Sequence, residues 1–67
     1  MNPLSTLAVG QHIYRYNDTI WGVRGEWEVV TAIRKCRDGL IEVELREDGI
    51  LKHLLRGMPE DVVRVSH

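Results

Sequence analysis

The hydrophobic pattern is clearest from Leu40 to Arg46, where Ile41, Val43 and Leu45 alternate with Glu42, Glu44 and Arg46. A period of two sends alternate side chains to opposite faces of a strand, one toward a core and one toward water. Glu47-Asp48-Gly49 follows and reads as a tight hairpin, because glycine supplies the positive φ such turns need. Ile50 to Leu55 fits a strand or a helical turn by periodicity, and the preceding Asp48-Gly49 favours a strand paired back onto 40–46. Gly57-Met58-Pro59 ends that pattern.

Earlier in the chain, Val9 to Tyr16 predicts a strand, since Ile and Tyr favour a pleated, half-buried surface. Its buried face stays open: Ile13 and Arg15 share one side, His12, Tyr14 and Tyr16 the other. Glu26 to Arg34 predicts a second strand with Trp27, Val29, Thr31 and Ile33 on one face. Val30 and Ala32 are apolar on the other, so this strand is covered on both sides or contains a bulge. Asn17 to Gly25 reads as a loop weighted with Ile20, Trp21 and Val23, and Lys35 to Gly39 as a turn. Residues 1–8 read as a short polar-to-apolar lead-in, at an end of the chain where fraying concentrates. Pro59-Glu60-Asp61 fits a short 3₁₀ turn before a final strand, Val62 to Val65.

About five strands with one buried face must curl to hide their edges. The expectation is an all-β domain over residues 9–67, a small, partly open barrel with one short 3₁₀ turn before the last strand. That layout resembles the SH3-like small barrels of bacteria and plastids. The matching residues are Val9-Gly10-Gln11-His12-Ile13, the long segment to Gly25, and Glu26-Trp27-Glu28-Val29. The hairpin at Asp48-Gly49 and the ending Pro59-Glu60-Asp61-Val62-Val63-Arg64-Val65 complete the likeness. Families of this outline include the photosystem I accessory subunit, the variable subunit of ferredoxin–thioredoxin reductase, Tudor and KOW modules, and the plasmid-encoded type II dihydrofolate reductase. The first two dock on larger protein complexes, and the resemblance implies a similar accessory role. The last is an enzyme whose family carries Val-Gln-Ile-Tyr on a late strand. Leu51-Lys52-His53-Leu54-Leu55 stands there in this chain, so that activity is not carried over.

Length and charge narrow the picture. At 67 residues the chain holds one domain. A domain this short buries only about 60% of the surface its unfolded chain exposes, so a partner or self-association can supply part of its stability. Nine basic and ten acidic residues give a net charge of −1, which argues against tight non-specific nucleic-acid binding. Cys36 is the only cysteine, so no internal disulfide forms and a reducing compartment is favoured. Met1-Asn2-Pro3-Leu4-Ser5 lacks a basic region followed by a long apolar run, so it does not read as a signal peptide. The expected location is cytoplasmic.

Candidate chemistry is sparse. His12, His53 and His67 have no metal-ligand spacing with Cys36 or each other. Cys36 lies between Lys35 and Arg37, but a nucleophile also needs a base and an orienting group. Glu42 and Glu44 share the wet face of a strand, and Glu47/Asp48 and Glu60/Asp61 sit in turns. None has the apolar pocket that acid–base work requires. No catalytic residue, metal or cofactor is assigned. All the aromatic residues, Tyr14, Tyr16, Trp21 and Trp27, crowd residues 14–27. Trp27 is expected to anchor the core.

Three readings follow. The preferred one is a non-enzymatic adaptor or accessory subunit that binds a protein partner through Tyr14, Tyr16, Trp21 and Arg24. The alternative is an RNA- or DNA-binding module that combines the aromatics with Arg24, Arg34, Lys35 and Arg37. The third is an enzyme whose site forms between subunits. Homo-oligomerisation through an open strand edge fits all three.

Overall fold

The computed structural model describes residues 1–66, with Asn17 described by its backbone only. The architecture is all-β. The elements are β1 (Asn2–Pro3), a 3₁₀ helix (Leu4–Thr6), β2 (His12–Thr19), β3 (Gly22–Lys35), β4 (Ile41–Glu47), β5 (Ile50–Gly57) and β6 (Val62–Val63). No helix among the described residues is long and apolar enough to cross a membrane.

The alternation at residues 41–45 sets the centre of the sheet. β4 lies between β3 and β5, and Ile41, Val43 and Leu45 are all buried. Its register joins Leu45 to Val30 on one side and His53 on the other, and Val43 to Ile33 and Leu55. Asp48 and Gly49 both have positive φ (53° and 78°), so the β4–β5 hairpin has the two-residue turn its sequence predicts. Four antiparallel strands run in the order β2-β3-β4-β5, and β1 pairs with β6 in a second small sheet. Beyond β6 the chain lies along the free edge of β2. The Tyr14 N–H donates to the Arg64 carbonyl (2.9 Å), and the Ser66 N–H donates to the His12 carbonyl (3.0 Å). The sheets do not close into a barrel.

One irregularity governs the rest. The β3–β4 register shifts between Val30 and Ala32, a β-bulge at Thr31. The Thr31 hydroxyl fills the break, donating to the Glu44 carbonyl (3.0 Å) and accepting the Arg46 N–H (3.2 Å). The extra residue reverses which side chains face inward. Val30 pairs with Leu45 above the break and Ile33 with Val43 below it, and both pairs point into the core.

Four expectations need correction. Trp27 is not in the core; it is 46% exposed, because alternation from the buried Val30 puts it on the other face, and the bulge between Val30 and Ala32 lets Ile33 turn inward without it. The core is aliphatic, built on Ile13, Val30, Val43 and Leu45. Residues 17–25 are not a loop, because Asn17 pairs with Arg24, Asp18 with Val23 and Thr19 with Gly22. The Thr19 hydroxyl donates to the Gly22 carbonyl (2.8 Å) and accepts the Trp21 N–H (3.1 Å), while Gly22 at φ 120° completes the reversal. The N-terminal lead-in is packed into the fold. Leu4 and Leu7 fill the open end of the core, and the Leu4 N–H donates to the Asp61 carbonyl (2.8 Å). Finally, the 3₁₀ helix lies at Leu4–Thr6, and the segment before β6 is a single turn closed by the Asp61 N–H on the Met58 carbonyl (3.1 Å).

Leu45→Ala is expected to cost about 2–5 kcal/mol, close to the whole stability of so small a domain. Trp27→Ala should cost much less. Thermal unfolding followed by far-UV dichroism checks the order of the two.

Candidate partner-binding face

β4 pairs with β3 only from Val30 onward, so Gly22–Val29 pair with β2 alone. Among the described residues, the segment along the other edge of β2 bonds only at residues 12–14. The two strands therefore continue past the core as a ribbon, hereafter the arm. A two-stranded ribbon is marginal in water by itself. Its own side chains must hold it flat.

Those side chains are aromatic. The regular register places His12, Tyr14 and Tyr16 on one face together with Val23, Gly25, Trp27 and Val29. The Tyr14 ring meets Trp27 edge-on at 5.0 Å between centroids, and Tyr16 at 5.1 Å. Tyr14 lies directly over Gly25, where an added Cβ would coincide with the ring. Gly25, diagonal to Tyr14 across the two strands, thus lets the ring cover bare backbone and stiffen the ribbon. The Arg64 guanidinium caps the cluster, 5.2 Å from the Tyr14 ring and 5.8 Å from Trp27. Such contacts are worth about 0.5–1 kcal/mol where exposed.

The structure brings together only part of the site expected for a protein partner. Tyr14 and Tyr16 share the face. Trp21 sits at the tip of the arm, 90% exposed beside Ile20. Arg24 lies on the opposite face, since it pairs with Asn17 and alternates with Val23 and Gly25. Trp27 and Arg64 belong to the cluster, and neither had been assigned to it from sequence. Arg64 carries a usable signal: it stands between Val63 and Val65, so it must face away from the core that those valines touch.

The four cations of the nucleic-acid reading are not gathered. Arg24 and Arg34 are ten residues apart on β3, about 30 Å along a strand. Arg34 is already paired with Glu42 (2.6 Å) and Glu44 (2.7 Å). Lys35 ends β3 and Arg37 lies in the turn beyond it. Arg46 adds a further contact to Glu44 at 2.9 Å. Hydrogen bonds from Arg34, then Arg46, hold the Glu44 carboxyl below its ordinary range, and the two glutamates hold the Arg34 guanidinium above its own. These acids form a ladder on the outer face of the sheet.

At the polar end of the inner face, both carboxylate oxygens of Glu28 approach His53 Nδ1, at 2.8 and 2.9 Å. Arg15 Nε nearby is buried without a hydrogen-bond partner. No group of three or more His, Cys, Asp or Glu that could hold a metal occurs among the described residues, and His67 lies outside them.

Gly25→Val should displace the Tyr14 ring and disperse the cluster. Near-UV dichroism from Trp27 is expected to weaken while the far-UV strand signal of the core persists. Scans against family models, curated proteins and solved structures find no match to this chain.

Proposed function

We propose that this chain is a non-enzymatic, SH3-like adaptor or accessory module that binds another protein through the aromatic face of its arm. The observation that carries the reading is an uncovered run of large side chains on an arm with no core of its own. Tyr16 is 66% exposed, Val23 68% and Trp27 46%, and Trp21 at the tip is 90% exposed. Tyr, Trp and Arg are the residue types that most often dominate binding energy at protein interfaces. Tyr14 packs against Tyr16 and Trp27, and Arg64 lies over Tyr14 and Trp27, so these rings are held before a partner arrives, which lowers the ordering cost of binding.

The order β5-β4-β3-β2, with the C-terminal segment next along β2, supports the SH3-like reading. A cytoplasmic setting suits the unpaired Cys36. The nucleic-acid reading gains nothing from the arrangement, because its cations are split between the ends of β3 and Arg34 is engaged by carboxylates.

Affinity capture from the source cell tests the proposal. Tyr16→Ala, Trp21→Ala and Trp27→Ala, each confirmed folded by dichroism, are expected to lose partners that the unaltered chain enriches. Undiminished capture by all three would remove the face from consideration.

A further inference from the structure

Where the sheet splits at Thr31, a cleft opens between the arm and the β4–β5 hairpin. It has a volume of about 600 Å³, with Gly25–Val29 along one wall and Leu45, Arg46, Glu47 and Lys52 along the other. We propose that this cleft accepts one extended segment of a partner protein as an added β-strand, and that the segment alternates cationic with apolar residues. The proposal rests on the adaptor reading above and gives it a binding mode.

The direction of the backbone groups carries the argument. The Val30 N–H donates to the Gln11 carbonyl (2.8 Å), and the Val30 carbonyl accepts the Gly10 N–H (2.9 Å). Val30 therefore addresses the β2 side. Antiparallel pairing alternates, so Glu28 and Glu26 address β2 as well, while Val29, Trp27 and Gly25 point their N–H and C=O groups the other way, into the cleft. The Val30–Leu45 pair is the last of the β3–β4 register, so no strand pairs with Gly25, Trp27 or the Val29 N–H on this side. At the break itself the Arg46 N–H is reached by the Thr31 hydroxyl (3.2 Å). The edge left over spans about 13 Å, enough for the main-chain bonds of a short added strand.

The cleft also selects its occupant. The β4–β5 hairpin stands across from the edge, so a single strand enters where the edge of a second folded sheet is blocked. Side chains of an added strand would alternate between two environments. One row stands beside Glu26 and Glu28. Glu26 has no ion-pair partner among the described residues, and Glu28 has only His53. The other row stands beside Trp27 and Val29. Cations suit the first row and apolar groups the second.

The test uses the full ¹⁵N-labelled chain and the peptide acetyl-Lys-Val-Lys-Val-Lys-amide at millimolar concentration and low salt. Saturable shifts centred on the amides of Gly25, Trp27 and Val29 are expected. N-methylating the peptide at alternate residues, or introducing Val29→Pro, should weaken binding roughly five- to tenfold or more, because each removes cleft-facing hydrogen bonds. Val29→Pro leaves the β2 ladder intact, since the Val29 N–H does not bond β2. Unmoved amides at 25, 27 and 29 would overturn the proposal. So would equal binding of the N-methylated peptide, or shifts of those amides when the protein alone is concentrated, which would make a second copy the occupant. If Val29→Pro keeps a captured partner that Tyr16→Ala and Trp27→Ala lose, strand addition fails and the adaptor reading survives. If none of these variants loses it, both fail.

Discussion

At the β-bulge centred on Thr31, β3 carries one residue more than β4. The Thr31 hydroxyl ties the two strands at the break, donating to the Glu44 carbonyl and accepting the Arg46 N–H. Each such bond adds about 0.5–1.5 kcal/mol. Everything distinctive about the molecule follows from that extra residue. Val30 and Ile33 both face the core although they are an odd number of positions apart, and Trp27 is turned outward. β3 also parts from β4 and continues with β2 as the arm.

The resulting division of labour is between an aliphatic core and an aromatic arm. Leu4, Leu7, Ile13, Val30, Ile41, Val43 and Leu45 fill the space inside the curled sheet, and both tryptophans and both tyrosines lie outside it. Small domains commonly place a large ring in the core; this one fills the space with its own N-terminal leucines. Its rings are thereby free to stiffen the arm and to meet a partner, with Arg64 from the C-terminal segment locking them in place. The ladder Arg34–Glu42–Glu44–Arg46 covers the outer face of the opposite end and keeps that end polar.

Much of this was legible in the chain, and the parts that were not have physical reasons. The strict alternation at 41–46 and the Asp48-Gly49 turn are local signals, and β4, its hairpin and β5 form as they predict. An apolar Val30 and Ala32 beside Thr31 and Ile33 announced a bulge or a doubly covered strand without choosing between them. Reading residues 27 to 33 as one face therefore misplaced Trp27. The arm was hidden because Ile20-Trp21 is no standard turn pair, while Asn17-Asp18 looked like one. The reversal depends on a side-chain hydroxyl at Thr19. Leu4 and Leu7 are buried by contacts with distant parts of the chain, and the meeting of Arg64 with Tyr14 depends on register across the whole domain. Neither leaves a local trace. Of the predicted site, Tyr14 and Tyr16 stand together because they are two apart on one strand, and Arg24 falls away because it is one residue out of phase.

Residue-resolved amide exchange in the free protein measures the split directly. The account predicts alternating protection along the arm: Glu26, Glu28 and Val30 slow, because they bond β2, and Gly25, Trp27 and Val29 fast, because their N–H groups face the cleft. Uniform protection from Gly25 to Val30 would mean that β3 is paired on both sides. It would contradict the bulge, the cleft and the free arm together.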